Sequence, residues 1–355
     1  MKAFKYFGAV MALSIINLAS GVGQAEAANC LEVTLTGTQG GPAVFNGLAG
    51  PGTLVRYGNE EDNCSSTLLQ FDAGRGTLQS LSEINIPVAK IQAIFLSHIH
   101  SDHVDGLNDL MQMRWHFASN GPKVDLVCNA DATSPAGHVL SCAGFAEHIG
   151  DSYIQSGEIA QRLAENNDRL AGGPAELFNI MTFEKPENAT EVWRKDDVVV
   201  TAITSRHVPG HTSYRVDTPA GSVVIGGDAG NDKPKPPRDN STSANVESLA
   251  QGADILVHST VHPVMGPDGD SGFPPPIFYR QSTAPDLGAL AERAGVANLM
   301  YTHLIPPLNA SRQGPFKIPG GGLSEADYEA AAREGGYSGN VVVGTDLVTL
   351  RLVAE

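Results

Sequence analysis

The sequence predicts an α/β fold in which buried strands alternate with helices. Strand-like runs occur in both halves of the chain, and apolar residues recur at helical spacing over 105–117. The 355 residues are 41% hydrophobic and 17% charged, a composition typical of globular proteins. Collagen-like, coiled-coil and wholly disordered proteins are therefore excluded.

A strand is predicted wherever a run of apolar residues, or of alternating apolar and polar residues, ends at turn-forming residues. A helix is predicted where a capping pattern precedes a periodic segment, as at Ser324-x-x-Asp327. The predicted strands are 31–35, 53–57, 67–71, 91–96, 198–204, 213–218, 222–225, 254–257, 298–302, 341–343 and 347–352. The predicted helices are 105–117, 157–170, 245–251, one from Thr283 to before Gly295, and one from Ser324; Gly/Pro-rich residues 263–276 and basic residues 233–238 are predicted loops.

The N-terminus has the features of a secretory signal peptide. Lys2 and Lys5 precede an apolar stretch, and small residues follow at 25–27. That stretch is too short for a transmembrane helix, which needs about 20 apolar residues. We therefore expect cleavage after Ala27 and a periplasmic or secreted protein with no membrane span. Length alone allows either one large domain or two modest domains in the mature chain.

The net charge is strongly negative. The chain has 23 Lys and Arg against 39 Asp and Glu, a formal net charge of −16, and removal of residues 1–27 makes it −17. Proteins that hold nucleic acid through its phosphates present Lys and Arg. We therefore expect no nucleic-acid partner; the oligomeric state is left open.

All four cysteines follow the predicted signal peptide, and an even number in an exported chain indicates disulfides. Proximity in sequence favours Cys128 with Cys142 and therefore Cys30 with Cys64. Buried thiols are the alternative. No pair has the Cys-x-x-Cys spacing of a zinc site.

A dense group of metal-binding side chains follows the apolar strand 91–96. Residues 97–103 read Ser-His-Ile-His-Ser-Asp-His, so His98, His100, Asp102 and His103 lie within six positions. Polar groups buried without partners at such a strand end would be costly. A metal ion satisfies them, and the pattern therefore predicts a metal site.

This motif resembles the His-x-His-x-Asp-His signature of the metallo-β-lactamase superfamily. Its remaining elements occur downstream at predicted strand ends, as His207, Asp228 and His303. The resemblance runs over essentially the whole mature chain and therefore implies a single domain over 28–355. Its fold is expected to be an αββα sandwich of two mixed sheets flanked by helices. The resemblance also implies two divalent cations, expected to be Zn²⁺, at one edge of the sheets.

By this resemblance His98, His100 and His207 hold the first ion. Asp102, His103 and His303 hold the second, and Asp228 bridges the two. His211 is an alternative to His207, because Pro209-Gly210-His211-Thr212 is similar to a motif of the glyoxalase II and lactonase branches. His207 is preferred, because its separation from Asp228 is closer to the family's usual value.

The resemblance is strongest to the ribonuclease Z and arylsulfatase-like branch, in which a histidine like His258 assists proton transfer. His258 is therefore the candidate general acid, and Asp102 is a ligand that also belongs to the catalytic site. A simple hydrogen-bonded histidine at a strand end is the alternative, because Ser259 stands where the branch carries an acidic residue.

The resemblance implies hydrolysis, because two cations make hydroxide available near neutral pH. We expect an exported arylsulfatase-like or phosphodiesterase-like enzyme whose substrate is a small-molecule sulfate or phosphate ester. Ribonuclease Z itself is disfavoured by the export signal, the acidity and the lack of a basic Gly-rich arm. A lactonase or thioester hydrolase is the enzymatic alternative, and a non-catalytic metal-binding protein is the alternative from another class.

Overall fold

The computed structural model describes residues 27–354, in which two seven-stranded sheets face each other. Strand order is β18-β1-β2-β3-β4-β5-β8 in the first sheet and β17-β14-β13-β12-β11-β10-β9 in the second. The strands are β1 Asn29–Gly37, β2 Gly52–Asn59, β3 Thr67–Phe71, β4 Ala93–Phe95, β5 Val124–Asn129, β6 Ala132–Thr133, β7 Val139–Leu140, β8 Phe178–Phe183, β9 Thr190–Lys195, β10 Val198–Thr204, β11 Thr212–Thr218, β12 Gly221–Ile225, β13 Ile255–Val261, β14 Asn298–Ile305, β15 Arg312–Gln313, β16 Phe316–Lys317, β17 Asn340–Val343 and β18 Thr349–Val353.

Helices occupy the connections between strands. They are α1 Thr77–Glu83, α2 Ser101–Val104, α3 Leu107–Ala118, α4 Cys142–Glu147, α5 Asp151–Gln155, α6 Glu158–Glu165, α7 Ala244–Ala250, α8 Pro275–Phe278, α9 Ala284–Ala294 and α10 Glu325–Glu334, with 3₁₀ turns at Val88–Lys90, Pro174–Leu177 and Pro263–Met265. The predicted capping box is present at the start of α10. The Ser324 side chain accepts a hydrogen bond from the backbone N–H of Asp327, and the Asp327 carboxylate accepts one from the backbone N–H of Ser324.

Each sheet joins an antiparallel part to a parallel part. Strands β1, β2 and β3 are antiparallel neighbours, whereas β3, β4, β5 and β8 run parallel. The second sheet repeats this arrangement with β10, β11 and β12 followed by β13, β14 and β17. Parallel neighbours require crossover connections, which here carry the helices. The ends of β3, β4, β12 and β14 consequently meet at one edge.

The main core lies between the two sheets. Leu31, Val33 and Leu35 alternate along β1 and belong to the apolar cluster that joins both sheets. Within it, Phe95 stacks on Phe71 at 4.6 Å between ring centroids and meets Tyr214 edge-on at 5.5 Å. Two further clusters pack helices against the outer face of each sheet. The four layers confirm the expected αββα sandwich with two mixed sheets.

The predicted strands are found. In the two seven-stranded sheets, β5, β8 and β9 were not predicted. Strands β8 and β9 lie at the edges of the two sheets, where many side chains are exposed and the apolar pattern is weak. The predicted strand 254–257 continues to Val261, so His258 lies inside β13 and not at its end. The helix predicted over 157–170 is limited to Glu158–Glu165.

The cysteines pair as Cys30 with Cys64 and Cys128 with Cys142, as sequence proximity favoured. The predicted signal peptide, with its expected cleavage after Ala27, falls almost entirely on residues 1–26, outside the described residues. Among the described helices, none combines the length and the apolar character needed to cross a bilayer.

Replacing Phe95 by Ala tests the importance of the layer between the sheets. Deleting a fully buried ring should lower the free energy of unfolding by about 3–5 kcal/mol, because the cavity is filled only in part. Phe117→Ala is the matched control, since this ring is 82% exposed and its loss should change stability by less than about 0.5 kcal/mol. Urea unfolding of both variants measures the difference; equal losses would contradict the assignment.

Candidate metal centre

The seven predicted metal ligands all lie at the edge where strand ends from both sheets meet. His98 and His100 are in the turn after β4, and Asp102 and His103 are in α2. His207 follows β10 and Asp228 follows β12, while His303 lies in β14. His303 adopts φ of 47°, next to a register irregularity between β13 and β14. The fold thus gathers residues that are separated by up to about 200 positions in sequence.

Three imidazoles form the first group. His98 Nε2 lies 2.9 Å from His100 Nδ1, and His207 Nε2 lies 3.3 Å from the same His100 atom. One nitrogen from each ring fits within a sphere of the size that a metal ion requires, since these atoms all lie within 4.8 Å of one another. This is the set predicted for the first ion.

Asp102, His103 and His303 form the second group. Asp102 Oδ2 lies 3.3 Å from His303 Nε2 and 3.7 Å from His103 Nε2. Their ligand atoms also lie within 4.8 Å of one another. All three side chains are buried, so the carboxylate and the imidazoles depend on one another or on a bound ion for compensation.

Asp228 lies between the two groups. Its Oδ2 atom is 3.6 Å from His207 Nε2, 3.5 Å from His103 Nε2 and 3.3 Å from His303 Nε2. The carboxylate thus contacts one ligand of the first group and two of the second. This is the position that a bridging ligand requires.

The donor set fits divalent cations. His103 Nε2 and Asp228 Oδ1 are buried and have no hydrogen-bond partner among the described residues. Nitrogen and carboxylate donors in this number suit Zn²⁺ and related ions, with Asp228 shared between the sites. The described residues therefore leave unsatisfied atoms where ions would bind.

Burial and nearby charges give several ligands the protonation states that metal binding needs, and His103 is the exception. Burial lowers the pKa of His98, and it lowers the pKa of His207 to about 3, so both rings are neutral near pH 7. Burial opposes ionisation of Asp228, but the nearby His303 and His103 hold its pKa well below the usual range. Asp228 and Asp72 raise the pKa of His103 despite its burial, so a cation bound there displaces a proton.

His211 holds the Asp228 loop in place. Its Nε2 accepts a hydrogen bond from the backbone N–H of Asp228 at 3.0 Å, so Nδ1 carries the proton and donates to Ser205 Oγ at 2.8 Å. Ser205 contacts Ser213 Oγ at 2.6 Å, and Ser213 donates to the carbonyl of Gly226 at 2.7 Å. Both nitrogens of His211 are therefore occupied by protein groups, and the geometry favours His207 as the ligand.

Asp72 was missed by sequence reasoning. It follows β3 with φ of 51°, and its carboxylate accepts from Ser97 N and Ser97 Oγ, both at 2.7 Å, and contacts His103 Nδ1 at 2.8 Å. Such a partner fixes the orientation of a ligating ring. The available signal is a repeat: Asp72-Ala73-Gly74 after β3 matches Asp228-Ala229-Gly230 after β12.

His258, the predicted general acid, is fully enclosed. Its Nδ1 donates to the carbonyl of Ser259 at 2.7 Å, and Gly226 packs so closely on the ring that a Cβ atom there would lie 2.1 Å from it. It is not among the residues that line the cavity above the metal groups. The ring is therefore enclosed within β13, where this structure gives it no access to a leaving group.

A cavity of about 280 Å³ opens over the two metal groups. The metal-binding residues in its lining are His100, Asp102, His207, Asp228 and His303. Phe273, Ile277 and Phe316 supply apolar lining, and the Phe273 and Phe316 rings meet edge-on at 5.3 Å. The cavity thus combines a polar, metal-binding surface with an apolar wall.

Arg280 is the cation of this cavity, and the sequence analysis did not single it out. Its carbonyl oxygen accepts from His207 Nδ1 at 3.4 Å, which directs His207 Nε2 toward the first group. The positive charge of Arg280 lowers the pKa of His207. Only burial, which also lowers this pKa, and Asp228, which raises it, have larger effects. Within the described part of the chain the guanidinium has no carboxylate within 4.0 Å, and its Nε is buried without a partner.

The fold and the site define the protein as a metal-dependent hydrolase of the metallo-β-lactamase superfamily, in its ribonuclease Z branch. A family model described as "Anti-Pycsar protein Apyc1" matches residues 62–265, more than half of the chain, and the protein belongs to this family. The superfamily and branch expected from the sequence motif are confirmed.

Curated relatives cover nearly the whole chain. It is 29% identical over 320 residues to "Ribonuclease Z" of Mycobacterium bovis (strain BCG / Pasteur 1173P2), covering 89% of this chain and 96% of that protein. "Ribonuclease Z" of Mycobacterium avium (strain 104) is 28% identical over 320 residues, with the same coverage. These relatives support hydrolysis of ester bonds.

Solved structures match in fold. The metallo-β-lactamase fold protein YhfI from Bacillus subtilis gives a TM-score of 0.56 at 17% identity, covering 91% of this chain and 99% of that one. The short form of human tRNase Z gives 0.55 at 16% identity, covering 90% and 98%. Yeast PDE1 gives 0.53 at 12% identity, covering 92% and 100%.

The expectation of a small-molecule ester substrate and no nucleic-acid partner is wrong. Relatives that match almost end to end are named Ribonuclease Z, the enzyme that the charge argument had disfavoured. The error lies in the use of net charge, which averages over the whole surface. A chain of net charge −16 still presents local cations such as Arg280, and binding depends on the local surface.

Two histidine variants distinguish the ligand from its neighbour. His207→Ala should lower the saturating metal content from about two ions per chain to about one, because it removes a donor of the first group. His211→Ala should keep both ions at saturation but weaken metal affinity by roughly 10- to 100-fold, as loss of an orienting partner does. Metal analysis across a titration measures both; the reverse pattern would identify His211 as the ligand.

Proposed function

We propose that the protein hydrolyses phosphodiester bonds of ribonucleotides. The observation that carries the proposal is Arg280, a guanidinium without a carboxylate partner in the described part of the chain, placed beside the metal groups. The names of the relatives, Ribonuclease Z and yeast PDE1, agree with this bond type. Arginine binds phosphate oxygens through several N–H groups at once, which makes a phosphate ester the best-matched substrate.

The cavity suits one nucleotide at a time. Its volume of about 280 Å³ lies at the lower end of the range for ligand pockets. The half-buried ring of Phe316 supports stacking of a base, and Phe273 holds that ring edge-on. Folded RNA does not fit such a space, so a longer substrate enters through a single-stranded end.

The divalent ions, when bound, would supply a hydroxide nucleophile near neutral pH and stabilise negative charge on the attacked phosphate. His98, His100 and His207 would hold the first ion, with Asp102, His103 and His303 around the second and Asp228 shared. Arg280 binds a non-bridging phosphate oxygen and offsets the charge that Asp102 and Asp228 place near an anionic substrate. The apolar side chains of Phe273, Ile277 and Phe316 limit the access of water to the cavity.

We also propose that the enzyme works outside the cytoplasm. The N-terminal pattern of Lys2, Lys5 and the apolar stretch is typical of an export signal. The pairs Cys30–Cys64 and Cys128–Cys142 support this location, since such bonds persist in oxidising compartments.

A substrate panel tests the proposed reaction. The purified protein, with its metal content determined, should hydrolyse a bis-aryl phosphate and shorten a single-stranded RNA oligonucleotide. Lactone and β-lactam substrates should be turned over at least about 100-fold more slowly, because they offer Arg280 no tetrahedral anionic group. An aryl sulfate is included because it has the same charge and shape as a phosphodiester but a different central atom. Turnover confined to the lactone or the sulfate would refute the proposal, and a metal-loaded protein that cleaves nothing would indicate a non-catalytic role.

Arg280→Gln tests the role of the guanidinium. For a phosphodiester, kcat/KM should fall roughly 10- to 100-fold, the loss expected when a charged hydrogen bond is removed. Cleavage of an uncharged lactone, if measurable, should stay within about twofold, because this substrate offers Arg280 no charge. Arg162→Gln, an exposed arginine on α6, is the matched control. Equal losses on both substrates would show that Arg280 acts only through His207.

A further inference from the structure

A second cavity, of about 480 Å³, lies at the edge of the sandwich opposite the metal groups. Its walls come from the segments that lead into β3, β4 and β5, together with the end of β9. The metal ligands instead follow β4, β10 and β12. Seven residues of extended chain separate Ser65 at this cavity from Asp72 at the metal centre, on the order of 20 Å. A ligand bound here does not reach the metal-binding residues.

Five cationic side chains line this cavity, against one acidic side chain. The cations are Lys90, Arg114, Lys123, Arg194 and Lys195. The acidic residue is Asp125, whose two oxygens accept from Asn179 Nδ2 at 2.7 Å and from Trp193 Nε1 at 2.8 Å. Its carboxylate is thus engaged by neutral donors. In a chain of net charge −16 such a local excess of positive charge is unusual.

Most of these cations have no ionic partner. Arg194 pairs with Glu191 on the same strand, through contacts of 2.9 and 2.6 Å. Within the described residues, the other four have no carboxylate within 4.0 Å. Lys195 donates to the carbonyl of Ser66 at 3.3 Å, and Lys90 and Lys123 are exposed. The ammonium groups of these two lysines are therefore free to contact a ligand.

Arg114 is the unusual member of the group, because it is 1% exposed. Its guanidinium donates to the carbonyls of Val88 at 2.8 Å and Pro122 at 2.5 Å, while its Nε has no partner in the described structure. Carbonyl groups satisfy hydrogen bonds but do not neutralise a charge. A buried cation without a counter-ion is costly, and an anion in the adjoining cavity would compensate it.

We propose that this cavity, named here the distal basic cavity, binds a phosphate group. Lys90 and Lys123 contact the phosphate at the open side, and the charge of Arg114 attracts it from the interior. The phosphate is supplied either by a free phosphate ion or by the backbone of an RNA chain. The proposal does not depend on the reaction catalysed at the metal centre.

Calorimetric titration of the metal-loaded protein with inorganic phosphate tests the proposal, and a second titration uses a ten-nucleotide oligouridine with phosphorothioate linkages, which keep the backbone charge and resist cleavage at the metal centre. Lys90→Gln and Lys123→Gln should each weaken the binding assigned to this cavity about tenfold, as loss of one charged hydrogen bond does. Trp193 lines the cavity, so tryptophan fluorescence should report the same event. Lys185→Gln, which removes an exposed lysine elsewhere, is the matched control and should bind like the unaltered protein.

The two probes distinguish the sources of phosphate. Weakened binding of inorganic phosphate supports a site for the free ion, whereas weakened binding of the oligonucleotide alone supports a site for the RNA backbone. If neither lysine substitution weakens either probe beyond the Lys185→Gln control, the proposal is overturned. Phosphate bound at the metal ions does not confuse the result, because both lysines lie at the opposite edge and leave that binding unchanged.

Discussion

Three imidazole nitrogens lie within 3.6 Å of one carboxylate oxygen, Oδ2 of Asp228, where almost no side-chain surface is exposed. Such a concentration of polar groups beside an apolar core is tolerable only when each group has a partner. Much of the surrounding structure provides these partners. Asp72 orients His103, and the hydrogen-bonded series from His211 through Ser205 and Ser213 holds the loop that carries Asp228.

The two halves of the chain have similar arrangements of strands, and each places an aspartate beside the metal-binding histidines. Each contributes an antiparallel group of strands, then a parallel group, and in each an Asp-Ala-Gly segment follows the last strand of the antiparallel group. The two aspartates nevertheless have different positions. Asp72 binds the far nitrogen of His103 at 2.8 Å, whereas Asp228 faces the near nitrogen at 3.5 Å. One carboxylate therefore orients the ligands, and the other lies among them.

The metal-binding cluster at residues 98–103 was predicted from local pattern, because it directly follows an apolar strand. The αββα sandwich and the ligands His207, Asp228 and His303 were expected from the resemblance to the superfamily. The sequence did not reveal Arg280. Its position depends on how the segment before α9 packs against the residues that follow β10 and β12. Edge strands β8 and β9 were missed because exposed positions interrupt their apolar pattern. The net charge gave a wrong expectation about nucleic acid, since a sum over 355 residues does not describe where cations such as Arg114 and Lys123 cluster.

The bond between Cys128 and Cys142 connects the end of β5 to the start of α4. Both cysteines line a small space together with His98 and with Pro209 and Gly210, the residues that lead into His211. The covalent link thus restrains two neighbouring turns: the turn that carries His98 and the turn that carries His211, which orients the Asp228 loop. A reducing environment would open this bond and remove its restraint on both turns, so the redox state of the surroundings affects how the metal ligands are aligned.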